Sequence, residues 1–361
     1  MNSELLYNDA VGLLKDLIAT PSFSKDEAKA ADIIEQFLVS KNIRPNRLLN
    51  NVWASNKYFD ALKPTILLNS HHDTVMPNPQ YHNNPFEAIV EGGKLFGLGS
   101  NDAGGCLVSL ISAFLFFYNK KGLKYNIIIT ATAEEEISGA NGIEKLLADN
   151  DFVSFNKVPG CFAIVGEPTL TNLAIAEKGL LVLDCIATGK AGHAAREEGE
   201  NSIYKAMEDI KWFQTYQFPK ISETLGLVKM SVTSINTQNK AHNVVPAVCS
   251  FVVDIRVTDE YKQEEIIEII KQHVQSEIQP RGIRLQSSKI DINHPVVVAG
   301  IRLGKQTYGS PTTSDAALIP VPVLKCGPGD SARSHSADEF IYLEEIKEGI
   351  NFYISLLEQI V

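Results

Sequence analysis

The chain has 361 residues, 44% of them hydrophobic and 21% charged, with a formal net charge of −10. That length exceeds what a single hydrophobic core usually serves, so two domains are expected, and the composition is that of an ordinary globular protein. No Lys/Arg run or basic patch interleaved with aromatics is present, which argues against nucleic acid as a partner because phosphate binding needs a positive footprint.

The N-terminal stretch MNSELLYNDAVGLLKDLIA mixes apolar and acidic residues and lacks a basic leader, so it reads as an amphipathic helix and not as a signal peptide. Leu6, Ala10, Leu13, Leu14 and Leu17 recur at helical spacing. A second helix is predicted over 26–39, with stop and start signals in the intervening Thr20-Pro21-Ser22-Phe23-Ser24. Short apolar runs at 65–69, 126–131 and 162–165 suit buried strands. Between the first two, 86–96 reads as a hairpin turning at Gly92-Gly93, followed by a helix through 107–117. The most apolar run, at 106–118, ends in Asn119-Lys120-Lys121 and reads as too short to span a bilayer, so no membrane is expected. The five cysteines are scattered without a Cys-x-x-Cys pair, as in a reducing, cytoplasmic protein.

The pattern changes after Glu177. Strands are predicted over 179–188, 227–235, 248–257 and 284–289, and helices over 201–214 and 264–278. This strand–helix–strand–strand–helix–strand order is the ferredoxin-like signature. A strand near 321–326 and a C-terminal helix at 343–360 return to the α/β style. The predicted architecture is therefore an α/β catalytic domain of mixed sheet, 1–176 with 291–361, interrupted by an inserted α+β domain at 177–290.

Polar residues gather at the strand ends, where open α/β sheets place their sites. His71 and Asp73 lie two apart on one strand and share a face, so Asp73 can accept the second ring N–H of a ligating His71. A polar strand end without metal is the alternative. Asp102 precedes a helix and, taken in isolation, reads better as an N-cap. Glu134-Glu135-Glu136 after a central strand would repel one another unless cations or protons intervene, although such a run can also be a solvated face. Glu167 and His335 follow later strands. Collected, His71, Asp102, Glu136, Glu167 and His335 offer two imidazoles and three carboxylates, a set suited to Zn²⁺ or Co²⁺. Five ligands are too many for one catalytic zinc with an open position; two divalent ions sharing a carboxylate fit better.

The motifs Ser-His-His-Asp-Thr-Val, Gly-Leu-Gly-Ser-Asn-Asp, Thr-Ala-Glu-Glu-Glu, Gly-Glu-Pro, Gly-Lys-Ala-Gly-His-Ala, Asn-Val-Val-Pro and Ser-His-Ser-Ala-Asp-Glu occur in this order. In them the chain resembles, along essentially its whole length, the acetylornithine deacetylase / succinyl-diaminopimelate desuccinylase family of di-zinc hydrolases. The resemblance implies that Asp102 bridges the metals, with His71 and Glu167 on one and Glu136 and His335 on the other. It also implies that Glu135 is the general base, and that the inserted domain is a lid through which a homodimer forms. His193 would then cross from the partner subunit to stabilise the oxyanion, the alternative being a surface-loop histidine. Asn243 and Arg256 resemble groups that hold a substrate carboxylate, while Arg256 could equally pair with Asp254. Thr313 belongs to a loop resembling a substrate contact. The sequence departs from the family where Asp102 is followed by Ala103-Gly104-Gly105, without the usual lysine, and where Arg333 precedes the final histidine. Near the metals, Arg333 could recognise a second substrate carboxylate or balance Glu134.

The expected activity is removal of an acetyl or succinyl group from a small N-acyl-amino acid, favouring acetylornithine-type deacylation in arginine biosynthesis. A succinyl-diaminopimelate desuccinylase, a general aminoacylase, a di-metal dipeptidase and an inactive protein that binds amino-acid derivatives are the rivals.

Overall fold

The structure, a computed structural model, describes residues 3–150, 152, 155, 157–196 and 198–361. The chain divides into two compact units: Met1–Ile175 with Lys289–Tyr308 and Ser314–Val361, and Ala176–Ser288 with Gly309–Thr313.

The first unit begins with α1 (Ser3–Ile18) and α2 (Ala28–Ser40), followed by β1 (Asn46–Leu48), β2 (Asn51–Ser55) and β3 (Thr65–His71). The hairpin of β4 (Ile89–Glu91) and β5 (Lys94–Phe96) comes next, then α3 (Gly105–Tyr118), β6 (Asn126–Thr132), α4 (Ile143–Leu147), β7 (Phe162–Val165) and β8 (Leu173–Glu177). Gly92 and Gly93 make the hairpin turn at φ +57° and +77°, a geometry that side-chain-bearing residues adopt at a cost. In the second unit lie β9 (Gly179–Thr188), β10 (Gly192–His193), α5 (Ser202–Thr215), β11 (Lys229–Asn236), β12 (Val244–Val245), β13 (Val248–Val257), α6 (Gln263–Lys271) and β14 (Glu277–Pro280). The chain finishes with β15 (Ser288–Lys289), α7 (Pro295–Arg302), β16 (Thr307–Ser310), β17 (Val323–Lys325), β18 (Phe340–Tyr342) and α8 (Leu343–Glu358).

The principal sheet runs β1-β2-β6-β3-β7-β17-β8-β15, with β16 also on β8. Its centre, β6-β3-β7-β17, is parallel, while β2 and β8 pair antiparallel on either side. Strands β3, β6, β7 and β17 are buried throughout, which is why they read as continuous apolar runs and not as alternation. Period two still sorts their faces. Ile66, Leu68, Ile127, Ile129, Phe162 and Ile164 join the core beneath α1, α3 and α8. Leu67, Ile128, Ala163 and Val165 join the opposite core with Ile143, Leu146 and Phe155.

The run Ser100–Tyr118 is, by length and composition, long and apolar enough to cross a membrane, contrary to the expectation from the sequence, yet 89% of it is buried within the fold. Its helical part, α3, is largely buried, with Leu107, Val108, Leu110, Ile111 and Phe114 in the core.

In the second unit the sheet order is β11-β13-β9-β14, all antiparallel. Burial along β9 and β13 alternates, so one face carries the core with α5 and α6, through residues such as Phe213, Phe251, Ile255 and Ile266. The sequence reading misplaces one helix end and one strand here. The helix expected over 264–278 stops at Lys271, because Asp209 of α5 accepts bonds from Gln275 N, Ser276 N and Ser276 Oγ and turns the chain out of the helix. The fourth strand is consequently 277–280, while Ser288–Lys289 joins the principal sheet.

Candidate metal centre

Five of the residues singled out converge at the carboxyl ends of β3, β6 and β7 and on two loops of the first unit. His71 ends β3 and is fully buried. Its Nδ1 lies 3.0 Å from the backbone oxygen of Asp73 and 3.4 Å from the Asp73 carboxylate. An Nδ1–H donating there leaves the Nε2 lone pair facing outward, the tautomer a metal ligand needs. That Nε2 faces Asp102 Oδ1 at 3.3 Å, Glu167 Oε1 at 3.7 Å and Glu135 Oε2 at 3.9 Å. Across the cluster, His335 Nε2 lies 3.0 Å from Glu136 Oε2 and 3.6 Å from Asp102 Oδ2. Asp102 therefore presents one oxygen to each imidazole. Ligand atoms of His71, Asp102 and Glu136 lie within 4.8 Å of one another.

The carboxylate run after β6 is shaped by its backbone. Glu134 sits at φ +56° and His335 at φ +59°, in the left-handed region that few side-chain-bearing residues occupy. The N–H of Glu134 bonds to Glu27, and those of Glu135 and Glu136 bond to the two oxygens of Asp73. Glu134 itself turns away, its carboxylate held by Asn141 N and Nδ2. Glu136 is left opposite His335, with Glu135 beside His71. Asp102 does not act as a helix cap: α3 starts at Gly105, and the Asp102 carboxylate is committed to the two imidazoles.

Electrostatics follows from this crowding. Burial, with Glu167, Asp315 and Glu136 adding, pushes Glu135 well above the ordinary carboxylate range against the pull of His71. Burial and then Asp102 raise Glu167 to about 8, with Lys325 opposing. His71 is raised despite its burial, through Glu135, Asp102 and Asp73. The hydrogen bond to Glu136 leads in raising His335 to about 9. Such a set of clustered carboxylates and outward-facing ring nitrogens is satisfied by divalent cations, and its mixed nitrogen and oxygen donors suit borderline ions.

Three further groups at the site carry roles that the sequence reading does not give them, Asp315 being read there only as part of a loop resembling a substrate contact. Asp315, 5% exposed, accepts from Thr132 Oγ1 and Asn69 Nδ2 behind His71. Burial first of all raises it to about 6. Glu27 anchors the Glu134 amide, and Glu339 accepts three backbone N–H bonds from the Asp102 segment. Burial and then Asp102 raise Glu339 to about 8, while those N–H donors favour its ionised form. Glu339 stood within a quoted motif, and nothing in its local pattern separates it from a surface acid.

Arg333 requires a correction. Its Nη1 and Nη2 donate to Glu345 at 2.7 and 2.8 Å, and its guanidinium stacks on Phe340 and Tyr342. It is committed to α8, and neither balances Glu134 nor offers its fork to a substrate. The remaining candidates lie in the second unit, in two groups. His193 and Asn243 share one small ladder: Asn243 O accepts the Ala194 N–H, and the exposed His193 ring accepts from Ala195 N. Arg256 is held bidentate by Asp254, with Thr313 Oγ1 at 3.4 Å from its Nη1.

A mixed α/β sheet that gathers imidazoles and carboxylates at its strand ends and adjoining loops defines the class of metal-dependent enzymes. More particularly, the chain belongs to Peptidase family M20/M25/M40, whose profile matches residues 67–359. It is 29% identical over 374 residues to a [LysW]-lysine/[LysW]-ornithine hydrolase of Saccharolobus solfataricus, covering 99% of this chain and 97% of that protein. A protein of the same name from Sulfurisphaera tokodaii is 27% identical, with 100% and 98% covered. Among solved structures, the M20 family metallo-carboxypeptidase Sso-CP2 from Sulfolobus solfataricus superposes with a TM-score of 0.77 at 16% identity, covering 97% of this chain and 98% of that one. A dinuclear metal binding M20 peptidase from Bacillus subtilis gives 0.73 at 18% identity, with 98% of each chain covered.

Proposed function

We propose that this enzyme hydrolyses the amide joining an acyl carrier group to lysine, ornithine or a closely related amino acid, using two divalent ions, with zinc as the native metal. The observation that carries the chemistry is the position of Glu135, half-buried beside the ligand cluster with its Oε2 3.9 Å from His71 Nε2, farther than either Asp102 or Glu167. The substrate class draws on the full-length relatives, which are named for conjugates of LysW with lysine and ornithine. Acetylornithine, the substrate favoured by the sequence resemblance, is the smallest member of the same class, and arginine biosynthesis is the corresponding role. The five free, buried cysteines suit a reducing cytosol.

When bound, the ions would supply Lewis acidity and lower the proton affinity of water. His71, Asp102, Glu136, Glu167 and His335 would hold them. Glu135 takes the proton from the attacking water and returns it to the departing amine nitrogen. Asp73 fixes the His71 ring and, through the Glu135 and Glu136 amides, the position of base and ligand together. The second unit serves as a ferredoxin-like lid that pairs with a second copy, and His193 faces the site of that copy. Arg256, whose Nε and Nη2 Asp254 holds, offers its remaining Nη1, with Asn243 and Thr313, to the amino-acid carboxylate.

Glu135→Ala should retain two zinc ions per chain by atomic absorption while kcat falls about 10²–10⁴-fold. A variant that keeps most of its kcat rules out this base. A panel of acetyl-, succinyl- and peptide-length acyl derivatives of ornithine and lysine, beside neutral dipeptides, tests the substrate class. Faster turnover of the neutral dipeptides rejects it. Hybrid dimers of Glu135→Ala and His193→Ala subunits should recover part of the activity, and a verified hybrid with none removes the shared site.

A further inference from the structure

The Asp102 segment, Ser100–Gly104, is irregular, with Asp102 at φ −116°, ψ 99° between a left-handed Gly99 and the start of α3. A segment of this kind lacks the hydrogen-bond ladder of a helix or strand, so its backbone donors must be satisfied elsewhere. The Ser100 and Gly104 N–H groups bond to the backbone oxygens of Gly97 and Gly99, while those of Asn101 and Asp102, with that of Gly99 just before the segment, all go to one side chain. Glu339, 2% exposed, accepts the Asn101 and Asp102 N–H groups on Oε1, at 2.8 and 2.9 Å, and the Gly99 N–H on Oε2, at 3.2 Å. Its backbone oxygen also accepts the Gly97 N–H, and the strand that follows it pairs with β5, immediately before this segment. Asn101 completes the arrangement: its amide donates to Asp330 O and accepts from Asp330 N, joining the segment to the loop that carries His335.

We propose that Glu339 is a positioning residue of the metal centre, whose carboxylate sets the backbone from Gly99 to Asp102 so that one oxygen of Asp102 meets each imidazole. Only an ionised carboxylate offers acceptors alone to three converging N–H donors. A glutamine keeps the shape but turns an NH₂ toward one of those donors, and an aspartate keeps the charge but withdraws it by a methylene. Either change leaves the Asp102 side chain chemically intact and alters only where its backbone rests.

This inference depends on reading Asp102 as a metal ligand, and the experiment separates the two. In the full-length, zinc-loaded protein, Glu339→Gln, Glu339→Asp and Asp102→Asn are compared by zinc affinity in competition with a chromophoric chelator. The visible spectrum of each cobalt-substituted variant and the melting temperature of each chelator-stripped one are also recorded. Both Glu339 variants are expected to bind zinc about 10–100-fold more weakly, the usual effect of losing a residue that orients a ligand. Their cobalt bands should shift as well. Wild-type affinity and spectrum in either folded Glu339 variant overturn the proposal, whatever its melting temperature. Failure of both variants to fold when stripped also counts against it, since Glu339 would then hold the fold and not the ligand. If Asp102→Asn leaves zinc affinity unchanged, the metal-centre reading itself fails. If Asp102→Asn weakens zinc and the Glu339 variants do not, only the positioning role is lost.

Discussion

At the scale of single residues, the charge that looks most available is the one already spent. Arg333 sits two positions before His335, yet both arms of its guanidinium grip Glu345, and the pair is about one-sixth exposed on each side (16% and 17%). Arg333→Gln should therefore leave the preference between acetyl and succinyl substrates unchanged. It should lower stability by about 1–3 kcal/mol in urea unfolding, as expected when a charged hydrogen-bonded partner is lost. A changed substrate preference would return Arg333 to the site. The five residues gathered as a metal set from sequence do meet in space, because each closes an apolar strand or a motif-bearing loop and strand ends share one edge of the sheet. Glu27 and Glu339 were not legible in the same way. Their work is done by accepting backbone N–H bonds across long sequence separations, and neither composition nor periodicity records where a distant amide points.

At the scale of elements, the buried parallel strands were legible because short apolar runs between turn signals leave little else possible. What escaped is instructive. The helix predicted to run to 278 ends at Lys271, since a carboxylate from another helix, Asp209, captures the amides beyond it. Tertiary capture of this kind overrides local propensity. The Asp102 segment shows the reverse case, where a departure in sequence has a local cause. Where the resemblance leads one to expect lysine, Gly104 stands, and a Cβ there would lie 2.5 Å from the Gly99 oxygen and 2.6 Å from Leu14 Cδ1. Gly104→Ala should therefore cost about 1–3 kcal/mol through forced backbone displacement, read by thermal unfolding of the stripped protein. Wild-type stability would show that the segment can relax freely.

At the scale of the whole molecule, each unit has its own core and all five candidate ligands belong to the first. Ligands that bind only the native state stabilise what they bind. Calorimetry should thus resolve two transitions, of which chelator lowers only one; a uniform shift of both would mean that the units unfold together. The residues that steady the ligands are spread just as unevenly along the chain. Ser22 Oγ donates to His72 O, Ser24 Oγ to Asp73, and Glu27 holds the Glu134 amide. A stretch that reads as a mere connector between the first two helices is thereby stitched to two separate strand ends. A screen for altered metal retention should accordingly enrich changes at 22–27, 49 to 107 positions upstream of the segments they steady.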